Sequence, residues 1–257
     1  MTSSSPIRVV DELYELATGK SIDAVWATLT AAVSARGFPR AVYGVTVAAH
    51  REDFGRPDQI TAMHNMPDEW ADAMIGGRLF ERSPALHWAR RNVGTLSWGR
   101  LPKGVVGGPL ARLNAEHGVT AGVCMSFAPS SLGDRAILCL ISDPGAPQGR
   151  VNLAWDRHGR EVEALAQVAH LRIMALPRQP FGATLNRRQC EVLGLIGAGL
   201  SVAETASRVG RTPKAVEKRL AEARRVLNAG STAEAVVRAA DLNLISVFGG
   251  RMDESAA

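Results

Sequence analysis

Between Asn186 and Ser231 the chain spells out four helix starts, and no other feature constrains its fold as tightly. Asn186 stands three positions before Gln189, Ser201 before Glu204 and Ser231 before Glu234. In such a pair the first side chain caps a backbone N–H and the second reaches back to the cap, so two otherwise unpaired donors are satisfied together. Thr212-Pro213 supplies the fourth start, a cap followed by a proline whose missing N–H would have had no partner anyway. Glycine-bearing turns fall at Gly197–Ser201 and Val209–Thr212. Residues 184–257 therefore read as an all-α domain of four short helices. One of them, Ser201–Val209, leads through a tight turn into a helix over Thr212–Asn228. Val216, Leu220, Ala223 and Leu227 share the inner face of that helix; Lys214, Lys218, Ala221 and Arg225 stand opposite, flanked by Glu217. A second helix offered across a tight turn with a basic outer face is the geometry that enters a DNA major groove. A charge run is ordinarily a solvated face. Here the caps, the turns and the residue order together favour a helix-turn-helix. A net charge of +5 agrees with a nucleic-acid partner.

Upstream the pattern changes. Asp11–Leu16 is a short helix candidate. Ser21 caps a stronger one, with Ile22, Val25, Trp26, Leu29 and Val33 on one apolar face, and Gly37 stops it. Arg40–His50 and Gln59–Asn65 read as strands joined by a charged turn over 51–58. Pro67–Leu79 is a helical region with Pro near its first turn, and Pro84 opens another that runs to about Arg91. Gly104–Pro109 is a loop, and Leu110–His117 a short helix ended by Gly118. Val119–Ala128 and Ala136–Ser142 form a hairpin across Pro129–Asp134. Val151–Leu176 is one long helix. Helices before, between and after antiparallel strands predict an α-β-α sandwich over residues 1–175. Leu176–Ala183, with two prolines and a glycine, is the linker. The fold class is α+β, with an antiparallel sheet in the first domain and four helices in the second.

Several functions are excluded on residue patterns. There is no GxxxxGK, HExxH or GxSxG, and the six histidines lack ligand spacing, so no enzyme, cofactor or metal site is expected. No apolar run suffices to span a membrane and Met1–Ile7 has no signal core, which points to the cytoplasm. Three cysteines fit a reducing compartment. Asp11, Asp53 and Lys103 echo a phosphoacceptor receiver, but strands do not alternate with helices as that fold requires.

Leu185, Arg188 and Glu191-Val192-Leu193, then Gly199, Ser201 and Glu204-Thr205-Ala206, then Thr212, Val216 and Leu220, and last Glu234-Ala235-Val236 with Leu244-Ile245, resemble the LuxR/GerE family of helix-turn-helix domains. The resemblance implies DNA contact by Arg211, Lys214, Glu217, Lys218, Arg219, Ala221 and Arg225. Glu217 and Arg219 depart from the Lys and His common there. An acid on the groove side repels phosphate but can accept from cytosine N4, so the sequence preference should differ.

Asn65-Met-Pro67, Trp70, Pro84 and Trp98, followed by Gly118-Val119 and Gly122, resemble the autoinducer-binding domain of LuxR-type quorum-sensing regulators. That family holds acyl-homoserine lactones between its sheet and a helical layer. The resemblance implies a site built from Met66, Trp70, Met74, Ser83, Trp98, Val119, Cys124 and Cys139. Trp70 matches the family's lactone-carbonyl donor. Ser83 stands where the family has the Asp that accepts the ligand amide, and Met66 and Met74 stand where it has tyrosines. Loss of a buried carboxylate acceptor costs the usual ligand about 1.5–3 kcal/mol, roughly ten- to a hundred-fold in affinity. Two methionines make the site more apolar and more adaptable.

The expected protein is thus a LuxR-type regulator controlled by a small apolar effector other than a standard acyl-homoserine lactone. The alternative is a ligand-independent regulator or interaction module that dimerises with another regulator. Trp88 reads as an ordinary core aromatic. Cys124 and Cys139 face each other on the hairpin as small core residues, as pocket wall, or as a redox pair. A lone helix reads few base pairs, so a homodimer on a DNA operator is expected, paired through the long helix and Thr232–Asn243.

Overall fold

The computed structural model describes residues 6–46, 60–101, 108–129, 134–179 and 184–246. The chain divides into two units, Met1–Leu176 and Pro177–Ala257. The charged turn over 51–58, Asp53, Lys103, most of the loop over 104–109, the hairpin tip over 130–133 and the end of the linker over 180–183 lie outside the described residues.

In the first unit two helices, α1 (Pro6–Thr18) and α2 (Ile22–Ser34), precede strand β1 (Arg40–Thr46). Ser21 caps α2 by accepting from Ala24 N at 3.2 Å. Then come β2 (Ile60–His64), α3 (Asp68–Ala71), α4 (Pro84–Ala89), β3 (Gly94–Ser97), α5 (Pro109–Glu116), β4 (Gly122–Ser126), β5 (Arg135–Ile141) and the long α6 (Gln148–Ala175). Among the described residues the strands make one antiparallel sheet in the order β2-β1-β5-β4-β3. Strand alternation sends Tyr43, Val45, Val123, Met125, Leu138 and Leu140 to one face, where they are buried in a single core with Val25, Leu29 and Val33 of α2 and Val162, Leu165, Ala169 and Ile173 of α6. Arg36, almost fully buried, binds this layer together: its guanidinium donates to Glu12 of α1 at 2.7 Å and to Glu161 of α6 at 2.8 Å. The opposite face carries α3, α4 and α5. The unit is the α-β-α sandwich expected from the sequence.

Three local features differ from expectation. Pro67–Leu79 is not one helix: Pro67 is the N-cap of α3, and a wider π turn over Asp72–Gly76 follows. Gly77 permits it, since its N–H reaches Asp72 O at 2.8 Å and a Cβ there would fall 2.5 Å from Ala73 O. Strand β3 was not expected, because Gly94-Thr-Leu-Ser97 has little strand character of its own and is held by pairing with β4. Helix α6 begins three residues before Val151, at Gln148, whose side-chain amide accepts from Gly122 N at 3.1 Å and donates to Gly122 O at 3.0 Å. It thereby continues the ladder of β4 beyond the end of β3.

The second unit contains α7 (Arg187–Gly197), α8 (Val202–Arg208), α9 (Pro213–Val226) and α10 (Thr232–Asp241), capped by Asn186, Ser201, Thr212 and Ser231. The first two capping boxes are complete. The third is not: Ser231 accepts from Glu234 N, but Glu234 reaches past the cap to Gly230 N at 2.8 Å, where its other oxygen can also meet Arg238. Leu185, Val192, Leu193, Ala206, Val216, Leu220 and Ala223 are buried. Arg178 and Gln179, assigned to the linker by sequence, are bonded within this unit. Arg178 N donates to Leu242 O at 2.8 Å, and Gln179 Oε1 accepts from Leu185 N at 3.1 Å. Among the described residues no helix is long and apolar enough to cross a membrane.

Candidate functional site

The second face of the first unit's sheet is where the expected ligand residues gather. Asn65 ends β2 by accepting from Ala41 N at 2.6 Å and donating to Pro39 O at 2.9 Å, which fixes the chain as it turns into Met66 and Pro67. Trp70 follows within the first turn of α3. Met66, Trp70, Ala71, Leu113, Val119 and Ile141 form one buried cluster, with Val42, Met74, Leu79 and Trp98 partly buried against it. Five of the eight expected residues, Met66, Trp70, Met74, Trp98 and Val119, are therefore in one place.

Cys124 and Cys139 are direct partners across β4 and β5 and share this face. Ladder bonds close at Phe127 N–Ala136 O and Ser142 N–Ala121 O, so the cysteines fall at a pair without ladder bonds, where side chains stand closest. Both thiols are free. Burial pushes the Cys124 thiol up to about 12, against a smaller opposing effect of backbone hydrogen bonding at Cys124 and Leu96; the thiol itself donates to Leu96 O at 3.4 Å. Burial and the neighbouring Cys124 push Cys139 up as well. Thiols so disposed hold little thiolate near neutral pH, which opposes the redox reading and suits a wall.

The two faces of the sheet are filled differently. Along central β5, Ala136, Leu138 and Leu140 are buried under α6, whereas Ile137 and Cys139 stay half-buried, as do Val42 and Gly44 beside them. A central strand that keeps accessible surface on one face lies under a layer that leaves room.

The site's polar groups are few. Trp70 Nε1 donates to Asn114 Oδ1 at 3.3 Å. Sequence reasoning missed Asn114; the signal was a polar residue four positions after Leu110 on an otherwise apolar face of α5. Gly118, at φ +58, closes α5 so that Val119 N reaches Asn114 O at 2.7 Å, which sets Asn114 and Val119 together. Arg40 holds that turn in place, donating to His117 O and Gly118 O, both at 2.9 Å. Trp98 Nε1 is buried with no hydrogen-bond partner among the described residues. Ser83 serves as the N-cap of α4, its Oγ accepting from Leu86 N at 3.4 Å, and Ser126 Oγ pins the other end of α4 by donating to Ala89 O at 3.0 Å. Trp88, on α4, is half-buried.

In the second unit, α8 ends at Gly210, φ +62, with Arg211 N donating back to Ala206 O at 2.9 Å, and Thr212 starts α9 at once. Val216, Leu220, Ala223 and Leu227 are buried beneath α9. Arg211, Lys214, Glu217, Lys218, Ala221 and Arg225 are exposed; Arg219 lies half-buried on the flank. The exposed stripe is basic apart from Glu217 and Ala221. Arg238 of α10 donates to the carbonyls of Leu227 at 2.6 Å and Asn228 at 2.9 Å, a cation at the end of α9 where the helix dipole favours one.

A family model described as the autoinducer binding domain matches residues 21–173. No curated protein matches the sequence. Solved structures resemble the chain in fold. CepR2 from Burkholderia cenocepacia, titled an N-acylhomoserine lactone dependent LuxR family transcription factor, is 19% identical over 65% of this chain and 94% of that one, with a TM-score of 0.53. SdiA in complex with octanoyl-rac-glycerol is 15% identical over 96% of this chain and 99% of its own, with a TM-score of 0.52. Escherichia coli SdiA in a separate crystal form is 17% identical over 93% and 98%, with a TM-score of 0.51.

Proposed function

The chain belongs to the autoinducer-binding domain family, and from that premise we propose that it is a LuxR-type transcription regulator of the cytoplasm, binding DNA as a homodimer and answering to a small apolar effector other than a standard acyl-homoserine lactone. The observation that carries the DNA half is α9: a buried apolar edge, a capped start across the Gly210 turn, and Arg211, Lys214, Lys218 and Arg225 on the outside. A helix so mounted offers cations to phosphates and base edges. Glu217 on the same side accepts from cytosine N4, which moves the preferred operator away from the family's commonest one.

The effector half is supported by the apolar cluster around Trp70 and by the half-buried middle of the sheet beside it. The altered ligand is supported by Ser83, whose oxygen is engaged at the start of α4 and carries no charge for a ligand amide. SdiA, of the same fold, holds octanoyl-rac-glycerol, a ligand without an amide. One observation favours the second reading, a regulator that works without ligand: Trp70's indole donor is satisfied inside the protein, by Asn114.

Two measurements test the proposal. Purified full-length protein is mixed with a random duplex library, and bound sequences are amplified over several rounds; failure to enrich any motif rules out the DNA reading. Mass spectrometry of small molecules released from the same preparation decides between the effector reading and the ligand-independent one.

A further inference from the structure

We propose that Trp98, rather than Trp70, gives the effector its hydrogen bond, and that the effector is a neutral molecule with a carbonyl or hydroxyl acceptor on an apolar chain, an ester or ketone in preference to an N-acyl amide. The inference rests on the effector reading above and specifies its chemistry.

An indole has one N–H and accepts nothing. That of Trp70 is engaged with Asn114. That of Trp98 is buried and unpaired among the described residues, a rare condition in folded proteins that calls for an explanation. The ring is held in the site by packing. It is partly buried against the cluster of Met66, Trp70 and Ile141, and it lies so close to β4 that a Cβ at Gly122 would come within 2.9 Å of its Cε2 and 2.6 Å of Leu140 O. Glycine at 122 is what lets the indole lie on the sheet, with its donor fixed before any ligand arrives. The nitrogen is enclosed, so an acceptor reaches it as the side chains around the ring part.

The rest of the site selects against other chemistry. The side chains of the cluster are apolar, so an ionic ligand buried among them would lose its hydration without a counter-charge from them. Ser83 brings no carboxylate, and the Cys124 thiol donates to Leu96 O, so a ligand N–H is left with uncharged acceptors such as the Asn114 amide oxygen, which already accepts from Trp70. The carbonyl of a neutral ester or ketone supplies the acceptor that Trp98 lacks and, unlike an amide, brings no N–H to be stranded beside it.

Octanoylglycerol and N-octanoylhomoserine lactone are the probes, and proton–nitrogen correlation spectra of tryptophan-labelled full-length protein are the readout. The indole signals are assigned by single Trp→Phe variants. Octanoylglycerol should move the Trp98 indole proton downfield and leave that of Trp70 in place. In calorimetry, benzothienylalanine at position 98, which keeps the ring shape and replaces N–H by sulfur, should weaken octanoylglycerol about tenfold. It should change the amide probe less. A shift of Trp70 with Trp98 unmoved, or equal affinity of the benzothienyl protein, overturns the proposal while leaving an effector site in place. Binding of neither probe overturns it too, and the effector reading falls with it if the purified protein also releases no small molecule.

Discussion

Ser83 opens α4 with an oxygen that accepts from Leu86 N, and an aspartate caps that turn about as well as a serine does. Ser83→Asp should therefore keep the fold and melting temperature while restoring the acceptor that acyl-homoserine lactones use. Affinity for them should rise about tenfold, less than a complete family site would give, because Met66 and Met74 shape the acyl side and Arg82 is adjacent to the new charge. Calorimetry with several chain lengths on both proteins checks this; nanomolar binding by the unmodified protein would show that Ser83 already suffices. The paired cysteines make a second residue-scale prediction. Their folded pKa values are raised, Cys124 to about 12, so the native state keeps protons that the unfolded chain releases above about 8.5. Their contribution is intact below that pH and is lost as pH climbs toward the folded values. The melting temperature should fall by roughly 3–5 °C per pH unit per thiol above pH 8.5. Cys124→Ala and Cys139→Ala should each flatten the slope, whatever they do to stability at neutral pH.

At the scale of elements, α9 carries the sharpest prediction. Lys218 is exposed midway along its outer stripe, away from buried Val216 and Leu220. Lys218→Ala should weaken operator binding at least several-fold and reduce the slope of log affinity against log salt by about one, without changing thermal unfolding. Unchanged affinity in an anisotropy titration would remove this face from the interface. The helices of the second unit were legible because their signals are local. Ser201 and Glu204 bond each other's backbone within one turn, and Gly199, Gly210 and Asn228 adopt positive φ where α7, α8 and α9 end. The first unit was legible as far as its strands alternate, as in Arg40–Thr46 and Arg135–Ile141, where buried and half-buried residues take turns. What escaped was whatever distant residues decide. Strand β3 exists because β4 pairs with it, Gln148 is a ladder group only because Gly122 lies beside it, and Asn114 is a site residue through Trp70, far back along the chain. The same limit applies to the site: the sequence brought Trp70 and Trp98 into view, but not which indole was already engaged.

For the whole molecule the expectation is a dimer. Leu153 and Leu171 on α6 and Val237 on α10 are large apolar side chains left 58–65% exposed, one set on each unit, and both helices were the surfaces expected from the sequence. Light scattering should give twice the chain mass of 27.4 kDa in solution or on DNA; a monomer in both conditions contradicts it. The strand order has a consequence in time. β1 is the second strand of the sheet, with β2 on one side, but its other neighbour, β5, is made much later, since Thr46 pairs with Arg135 and Arg40 with Ile141. On a ribosome adding about 5–20 residues per second, the stretch from β1 to the end of β5 takes on the order of ten seconds. Through that interval one edge of β1 has no partner and can recruit any passing strand. The helices of the second unit, closed by bonds a few residues long, need no such wait. The yield of folded protein should thus depend on how that edge is sheltered during synthesis, a step that precedes anything the finished molecule binds.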